Sequence, residues 1–215
     1  MRILITAGPT REPIDPVRYL SNRSSGKMGY ALAAAAVEAG HEVTLISGPV
    51  ALPAPQPPVA RLIYIETAGQ LQDAVREAAS EMDAIIMSAA VADYRPAKYA
   101  PQKLKRGSQR MMTLELVANP DILGGLREVA PHAFLAGFAA ETNDLLEHAR
   151  RKLAGKCCDL IILNDVSQPG IGFGSDENEV TLLFADGRVQ PLMRASKLDI
   201  ARQIIQRLPP PRRPE

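Results

Sequence analysis

Cysteine is nearly absent from this chain, and the two present are neighbours, Cys157 and Cys158. Adjacent thiols have poor geometry for a structural disulfide and no metal spacing, which suits a reducing cytoplasm and thiols buried on the approach to a strand. Histidine is equally scarce. His41, His132 and His148 stand in unrelated contexts, so no His/Cys cluster argues for zinc. Charge of either sign is not in excess, since the formal net charge is +1. No large field therefore draws nucleic acid or an anionic membrane. No stretch reaches the roughly 18 apolar residues that span a bilayer. Met1-Arg2-Ile3-Leu4 runs straight into a strand instead of a signal peptide. What remains is a soluble, cytoplasmic, globular chain of 215 residues, 46% hydrophobic and 23% charged. One domain is expected over residues 1–207, followed by a disordered Pro/Arg tail at 208–215.

What is present is a repeated alternation of strand and helix. Residues 2–6 are apolar and β-branched, as a buried strand requires, and 27–39 form an alanine-rich helix closed by Gly40. A strand at 42–47 is followed by an extended segment, 48–60, with five prolines. A strand at 61–65, a Thr67-capped helix at 68–82 and a short unbroken strand at 83–87 come next. Further on, 112–117 alternates like a strand, and Asn119-Pro120-Asp121 opens a helix over 120–129. Strands at 134–138 and 159–163 flank a helix that Asn143 caps and Gly155 ends. A hairpin turns at Ala185-Asp186-Gly187 between 180–184 and 189–192, and a last helix covers 196–207. Alternation at this spacing implies a Rossmann-like, three-layer α/β fold: a mostly parallel central sheet with right-handed crossovers and a small added β-hairpin region.

The first connection is the chain's oddest part. About twenty residues separate the first strand from its helix, where such connections normally take two to six. A long loop at the carboxyl end of the first strand is placed to bind something. It ends Ser24-Ser25-Gly26, offering hydroxyls and free N–H groups at a helix start, with Asn22, Arg23 and Lys27 beside them. A serine there is often only a cap, but the loop length and the polar cluster favour a phosphate or carboxylate site. Neither familiar nucleotide signature fits. A P-loop needs glycine and Ser/Thr where Ser21 and Met28 stand, and a dinucleotide fingerprint needs G-x-G-x-x-G where Gly8-Pro9-Thr10 stands. The second strand also ends without the acid that holds a ribose.

The fourth strand runs into Ser88-Ala89-Ala90-Val91-Ala92-Asp93, whose small side chains would let a ligand approach the backbone. Residues 94–110 follow, carrying Lys98, Lys103, Lys105, Arg106 and Arg110 with no apolar periodicity. Such a segment reads as a mobile basic flap, placed to act as a lid. Lys152 and Lys156 lie one turn apart near a helix end, where helix-dipole complement and solvation alone would explain them.

In order, the motifs are 8–18, 21–29, Ser88–Asp93, Lys103-Leu104-Lys105, Asn119-Pro120-Asp121-Ile122, 137–142 and Asn164-Asp165-Val166. Together they resemble phosphopantothenoylcysteine synthetase, a ligase of coenzyme A biosynthesis, over residues 1 to about 200. The resemblance implies CTP-dependent joining of 4′-phosphopantothenate to L-cysteine through an acyl-cytidylate, with CMP and pyrophosphate released and magnesium on the phosphates. It implies that Lys103 serves acyl-cytidylate formation and that Asn22 serves conversion of that intermediate. Ser88, Ala89, Asp93, Lys103, Pro120, Asp121, Ile122, Leu123, Phe138, Lys152 and Lys156 would bind CTP, the 120–123 segment through free N–H groups at a helix start. Asn22, Ser24, Ser25, Gly26, Ala89 and Ala90 would meet phosphopantothenate. No metal ligand is assigned. A homodimer is also implied, with the flap reaching the neighbouring site. So is a flavin-dependent decarboxylase, fused or separate; with no such segment before Met1, the chain reads as a free-standing synthetase or an excised domain. CTP against ATP stays open. Two other classes fit parts of the pattern. A nicotinamide-dependent reductase would fit the sheet without its fingerprint, and a non-catalytic nucleotide-binding protein would not need Lys103 or Asn22.

Overall fold

The structure is a computed structural model, and it describes residues 1–106, 111–141, 145–165, 172 and 174–211. Asn143, proposed as a helix cap, and Arg110, 166–171, 173 and the last residues of the tail lie outside that set.

Six strands run parallel at the centre: β1 (Arg2–Ala7), β4 (Glu42–Ser47), β5 (Arg61–Tyr64), β6 (Ala84–Met87), β9 (Phe134–Glu141) and β10 (Leu160–Asp165). Their order across the sheet is β5-β4-β1-β6-β9-β10. The chain moves outward from β1 to β4 and β5, then returns to the other side of β1 at β6. That reversal opens a crevice at the carboxyl ends of β1 and β6. The hairpin of β11 (Glu177–Phe184) and β12 (Val189–Ser196) is not a separate region: it continues the same sheet antiparallel beyond β10. β1 and β6, at the middle of the sheet, are apolar along almost their whole length because both faces are covered.

One face packs α1 (Lys27–Glu38) and α5 (Lys197–Ile205), with Ile3, Ile5, Leu32, Ala36, Ile200 and Ile204 in a common core. The other face packs α2 (Ala68–Ala79), the short α3 (Leu126–Val129) and α4 (Leu145–Gly155), around Leu4, Leu71, Val75, Leu126 and Ala149. The proline-rich segment makes the β4-to-β5 crossover without a helix, resting Val50, Leu52 and Val59 on the α1 side. α1 lies so close to β1 that a Cβ on Gly29 would stand 2.4 Å from the Ala7 Cβ and 2.9 Å from the Thr6 carbonyl oxygen. Gly29→Ala is therefore expected to push α1 off the sheet and lower stability by about 1–3 kcal/mol. A chemical denaturation midpoint unchanged from the parent would contradict that packing.

Two expectations are corrected here. The helix expected over 120–129 shrinks to α3, preceded by turns at 122–125. Asn119 does not cap it: its Nδ2 donates to the Ala92 carbonyl and its Oδ1 accepts from Arg95. The Asp121 carboxylate instead accepts from Gly124 N–H, and Gly124-Gly125 costs helix propensity that a short segment does not recover. The strand expected over 112–117 is only β8 (Leu116–Ala118), paired antiparallel with β7 (Tyr94–Pro96).

The basic flap is thus an arm with a β-ladder at its base. It is also tied to the first loop, which a free lid would not be. The Asp15 side chain is fully buried and accepts from Val17 N–H, Arg18 N–H, the Arg18 guanidinium and Leu104 N–H. Arg18 in turn donates to the Leu104 carbonyl at 2.7 Å, and Ala100 N–H donates to the Ile14 carbonyl. Arg18 chiefly, opposed by burial and helped by the backbone N–H groups, holds the Asp15 carboxyl far below its ordinary value of 3.8. A depressed carboxylate pKa contributes stability above the unfolded value and loses it only as pH falls through the folded one, so the anchor persists through the neutral and mildly acidic range. Asp15→Asn is expected to speed tryptic cleavage after Lys103, Lys105 and Arg106 at pH 8. Unaltered cleavage would mean that this knot does not restrain the arm.

Candidate functional site

A cleft of about 580 Å³ opens at the crevice between β1 and β6, within the usual range for small-molecule sites. Its floor is the segment after β6. Ala89 N–H donates to Thr6 Oγ1, Ala90 N–H to the Gly8 carbonyl and Ala92 N–H to Thr10 Oγ1. Thr6 and Thr10 are wholly buried, so the backbone at Ser88, Ala89 and Ala90 is fixed before any ligand arrives. Small side chains leave that backbone approachable. Sequence reasoning missed the two threonines because their role depends on β1 and β6 being adjacent.

The first loop forms one wall. Asn22 reaches across to the floor, donating from Nδ2 to the Ala90 carbonyl at 2.6 Å and accepting Ser24 N–H on Oδ1. The second N–H of that amide is not used in these contacts. Ser24, Ser25 and Gly26 turn into α1, with Gly26 as its N-cap at φ 77, a conformation that favours glycine. Ser24 Oγ accepts from Gly26 N–H at 3.4 Å. Lys27 donates to the Gly174 carbonyl and pairs with Asp176 at 2.6 Å.

The opposite wall is cationic as well. Lys152 Nζ donates to the Phe138 carbonyl at 2.7 Å, and Lys156 pairs with Asp121. Burial pushes the Asp121 carboxyl up, but the Lys156 and Gly124 hydrogen bonds and the charges of Lys156 and Lys152 outweigh it and hold the group ionised. Pro120, Ile122 and Leu123 line this wall ahead of α3, the latter two from turns. Leu123 packs against β9 at Gly137, where an added Cβ would meet Leu123 Cδ2 at 2.6 Å.

Every residue to which the family resemblance assigned a site role lines this cleft except Lys103, and Arg23 of the loop's polar cluster does not line it either. Lys103 is exposed on the arm next to the anchored Leu104. Asp93 lies at the cleft's edge, exposed. Among the further residues that line it, Asn164, Asn178 and Lys197 had been given no site role from the sequence. Among the described residues Asn164 Oδ1 is buried without a hydrogen-bond partner, an acceptor that a ligand N–H or O–H would satisfy. Its motif was visible in the sequence, but nothing local marked it as facing a cleft. Among the described residues no group of three His, Cys, Asp or Glu side chains is arranged to hold a metal ion. Among them, too, no helix is long and apolar enough to cross a membrane.

Comparison with known proteins gives a consistent family. The family described as "DNA/pantothenate metabolism flavoprotein C-terminal domain" matches residues 1–210. The coenzyme A biosynthesis bifunctional protein CoaBC of Escherichia coli strain K12 is 49% identical over 92% of this chain and 49% of its own length. That of Bacillus subtilis strain 168 is 48% identical over 96% of this chain and 50% of its own length. The chain thus spans about half the length of the curated relatives it matches. A crystal structure of the C-terminal domain of a coenzyme A biosynthesis bifunctional protein CoaBC superposes with a TM-score of 0.79 at 41% identity, covering 95% of this chain and 92% of that one.

Proposed function

This chain belongs to the family of the DNA/pantothenate metabolism flavoprotein C-terminal domain, and on that premise we propose that it ligates 4′-phosphopantothenate to L-cysteine. The nucleotide is CTP, the intermediate an acyl-cytidylate, and the products phosphopantothenoylcysteine, CMP and pyrophosphate. One observation carries the proposal: a single cleft has two cationic walls, one at Ser24–Lys27 and one at Lys152/Lys156, with a rigid floor of small residues between them. Two phosphorylated substrates that must meet head to head need that arrangement.

In the first half-reaction the pantothenate carboxylate attacks the α-phosphate, the α–β phosphoanhydride bond breaks, and pyrophosphate leaves. Lys152 and Lys156 meet the triphosphate, with Lys156 exchanging Asp121 for phosphate oxygens. Ser88, Ala89 and Asp93 border the nucleotide beside Phe138 and residues 120–123. Lys103, carried on the arm, is the cation of this step. In the second half-reaction the cysteine amine attacks the acyl carbon, a C–N bond forms, and the C–O bond to CMP breaks as the amine loses its proton. The second N–H of Asn22 would donate to the acyl oxygen, where negative charge develops. Magnesium is proposed to arrive on the triphosphate as substrate, and no protein ligand is assigned to it.

The working unit we propose is a homodimer in which the arm serves the neighbouring cleft. Supporting this, Lys103 does not line its own chain's cleft. The arm also exposes Tyr94, Met112 and Leu116, and Val17 and Tyr19 stand out on the loop it is tied to. In a longer protein the remaining half would be the flavin-dependent decarboxylase. Pyrophosphate release tests the reading: it should require phosphopantothenate and be fastest with CTP among the four nucleoside triphosphates, and CMP release should require cysteine. Release independent of phosphopantothenate would refute it.

A further inference from the structure

Lys197 is in a costly place. It is 6% exposed, and lysine is among the residues least often buried without a paired charge. It is also the first residue of α5, directly after the Ser196 N-cap, where the helix dipole disfavours a cation. A methionine of similar volume would carry neither cost. Its ammonium donates to the Gly172 carbonyl at 2.9 Å and to the Ser175 carbonyl. An ammonium has three N–H donors, so one remains. Lys27 grips the same short segment through the Gly174 carbonyl and Asp176. Both lysines line the cleft, and both enter it from the α1/α5 face, opposite Lys152 and Lys156. Asp176 is shared in charge between them, and its side chain is 89% exposed, so water already answers much of it. Among the described residues, the pair is left with about one uncompensated positive charge next to the Ser24–Gly26 turn. Burial first, and Lys27 second, push the Lys197 pKa down against the pull of Asp176, as expected of a cation lacking its counter-ion.

We infer that Lys197, together with Lys27, receives the phosphomonoester of the acid substrate and is the residue that makes the site select a phosphorylated acid over its unphosphorylated form. This rests on the ligase reading above and adds to it a specificity determinant outside the phosphate turn. A phosphate dianion would supply the missing counter-charge to both ammonium groups, while the Ser24 hydroxyl of the neighbouring turn can donate to it. The same dianion would have no use for Lys152 and Lys156, which the nucleotide occupies. Lys197 acts on affinity and placement of the substrate and not on the reacting atoms.

Lys197→Met is the test, with binding of phosphopantothenate, pantothenate and CTP measured separately by calorimetry. A lost charge-assisted contact predicts roughly 10- to 100-fold weaker phosphopantothenate binding. Pantothenate and CTP should bind as they do to the parent, since neither uses that ammonium. Equal weakening for pantothenate, or weakening of CTP instead, would assign Lys197 to general scaffolding or to the nucleotide and overturn the inference. Lys197→Gln still donates to the Gly172 and Ser175 carbonyls while losing the charge, and carries the same expectation if the Met variant does not fold. The two readings fail separately. A parent protein that releases pyrophosphate, with variants that discriminate as the parent does, sinks only the role of Lys197. A parent that prefers the phosphorylated acid, loses the preference on Lys197→Met, yet never releases pyrophosphate, keeps the anion site and removes the ligase.

Discussion

Lys103→Ala is expected to lower the rate of pyrophosphate formation by about 10²–10³-fold while CTP affinity changes little. On the proposed mechanism the cation's task would begin as the pantothenate carboxylate adds to the α-phosphate and charge builds on its oxygens, so its effect would fall on the transition state and not on ground-state binding. Its position fits such a role. The side chain is exposed on an arm whose neighbouring residue, Leu104, is fixed on both its N–H and its carbonyl by Asp15 and Arg18. The anchor sets where the arm points without using the lysine itself. Rapid-quench measurement of the pyrophosphate burst reads the effect directly, and an unchanged burst would remove Lys103 from the chemistry. The same variant tests the proposed dimer. Mixed with a variant defective only in Asn22, it should regain part of the parent activity, because a mixed pair holds one site with both residues intact. No recovery after subunit exchange would place Lys103 and Asn22 in the same chain's site.

Asn22→Asp is expected to stop the reaction halfway, with the acyl-cytidylate accumulating to near one equivalent per site. An aspartate keeps the size of the side chain but offers no N–H to the acyl oxygen and puts an anion where negative charge must develop, which costs about 10²–10³-fold in the second half-reaction. It also brings a carboxylate against the Ala90 carbonyl, to which Asn22 now donates at 2.6 Å. The loop is then held less firmly, so a lower melting temperature should accompany the kinetic effect. Mass spectrometry of quenched reactions is the readout. Normal turnover, or a block with no intermediate, would each assign Asn22 elsewhere.

Those two residues sit differently with respect to what a sequence can reveal. The parallel core was legible because each strand is a short apolar run and each helix carries its periodicity. The Thr67 cap shows how local the signal was: its Oγ1 accepts from Gln70 N–H as the pattern implied. Where tertiary contacts take over a local signal, the reading failed. Asn119-Pro120-Asp121 has the composition of a helix start, yet Asn119 bonds Ala92 and Arg95, and Asp121 faces Lys156. The 112–117 alternation suggested a strand, but among the described residues the pairing with β7 takes in only Leu116–Ala118. Site residues on loops next to motifs were readable. Lys197 was not, because a lysine starting a helix looks solvated until α5 is seen lying on α1.

That contact between α1 and α5 has a consequence for how the protein is made. Arg202 on α5 pairs with Glu38 at the end of α1, and Lys27 reaches Asp176 just before β11. The cleft is therefore lined jointly by segments near residue 25 and near residue 197. A chain emerging from the ribosome can form β1, α1 and β4 early, since they are close in sequence, while Lys197 joins the cleft only once α5 is out. If Lys197 holds the phosphate as inferred, a nascent or truncated chain ending before α5 would carry the Ser24–Gly26 turn and still bind the acid poorly, so competence would come only with α5.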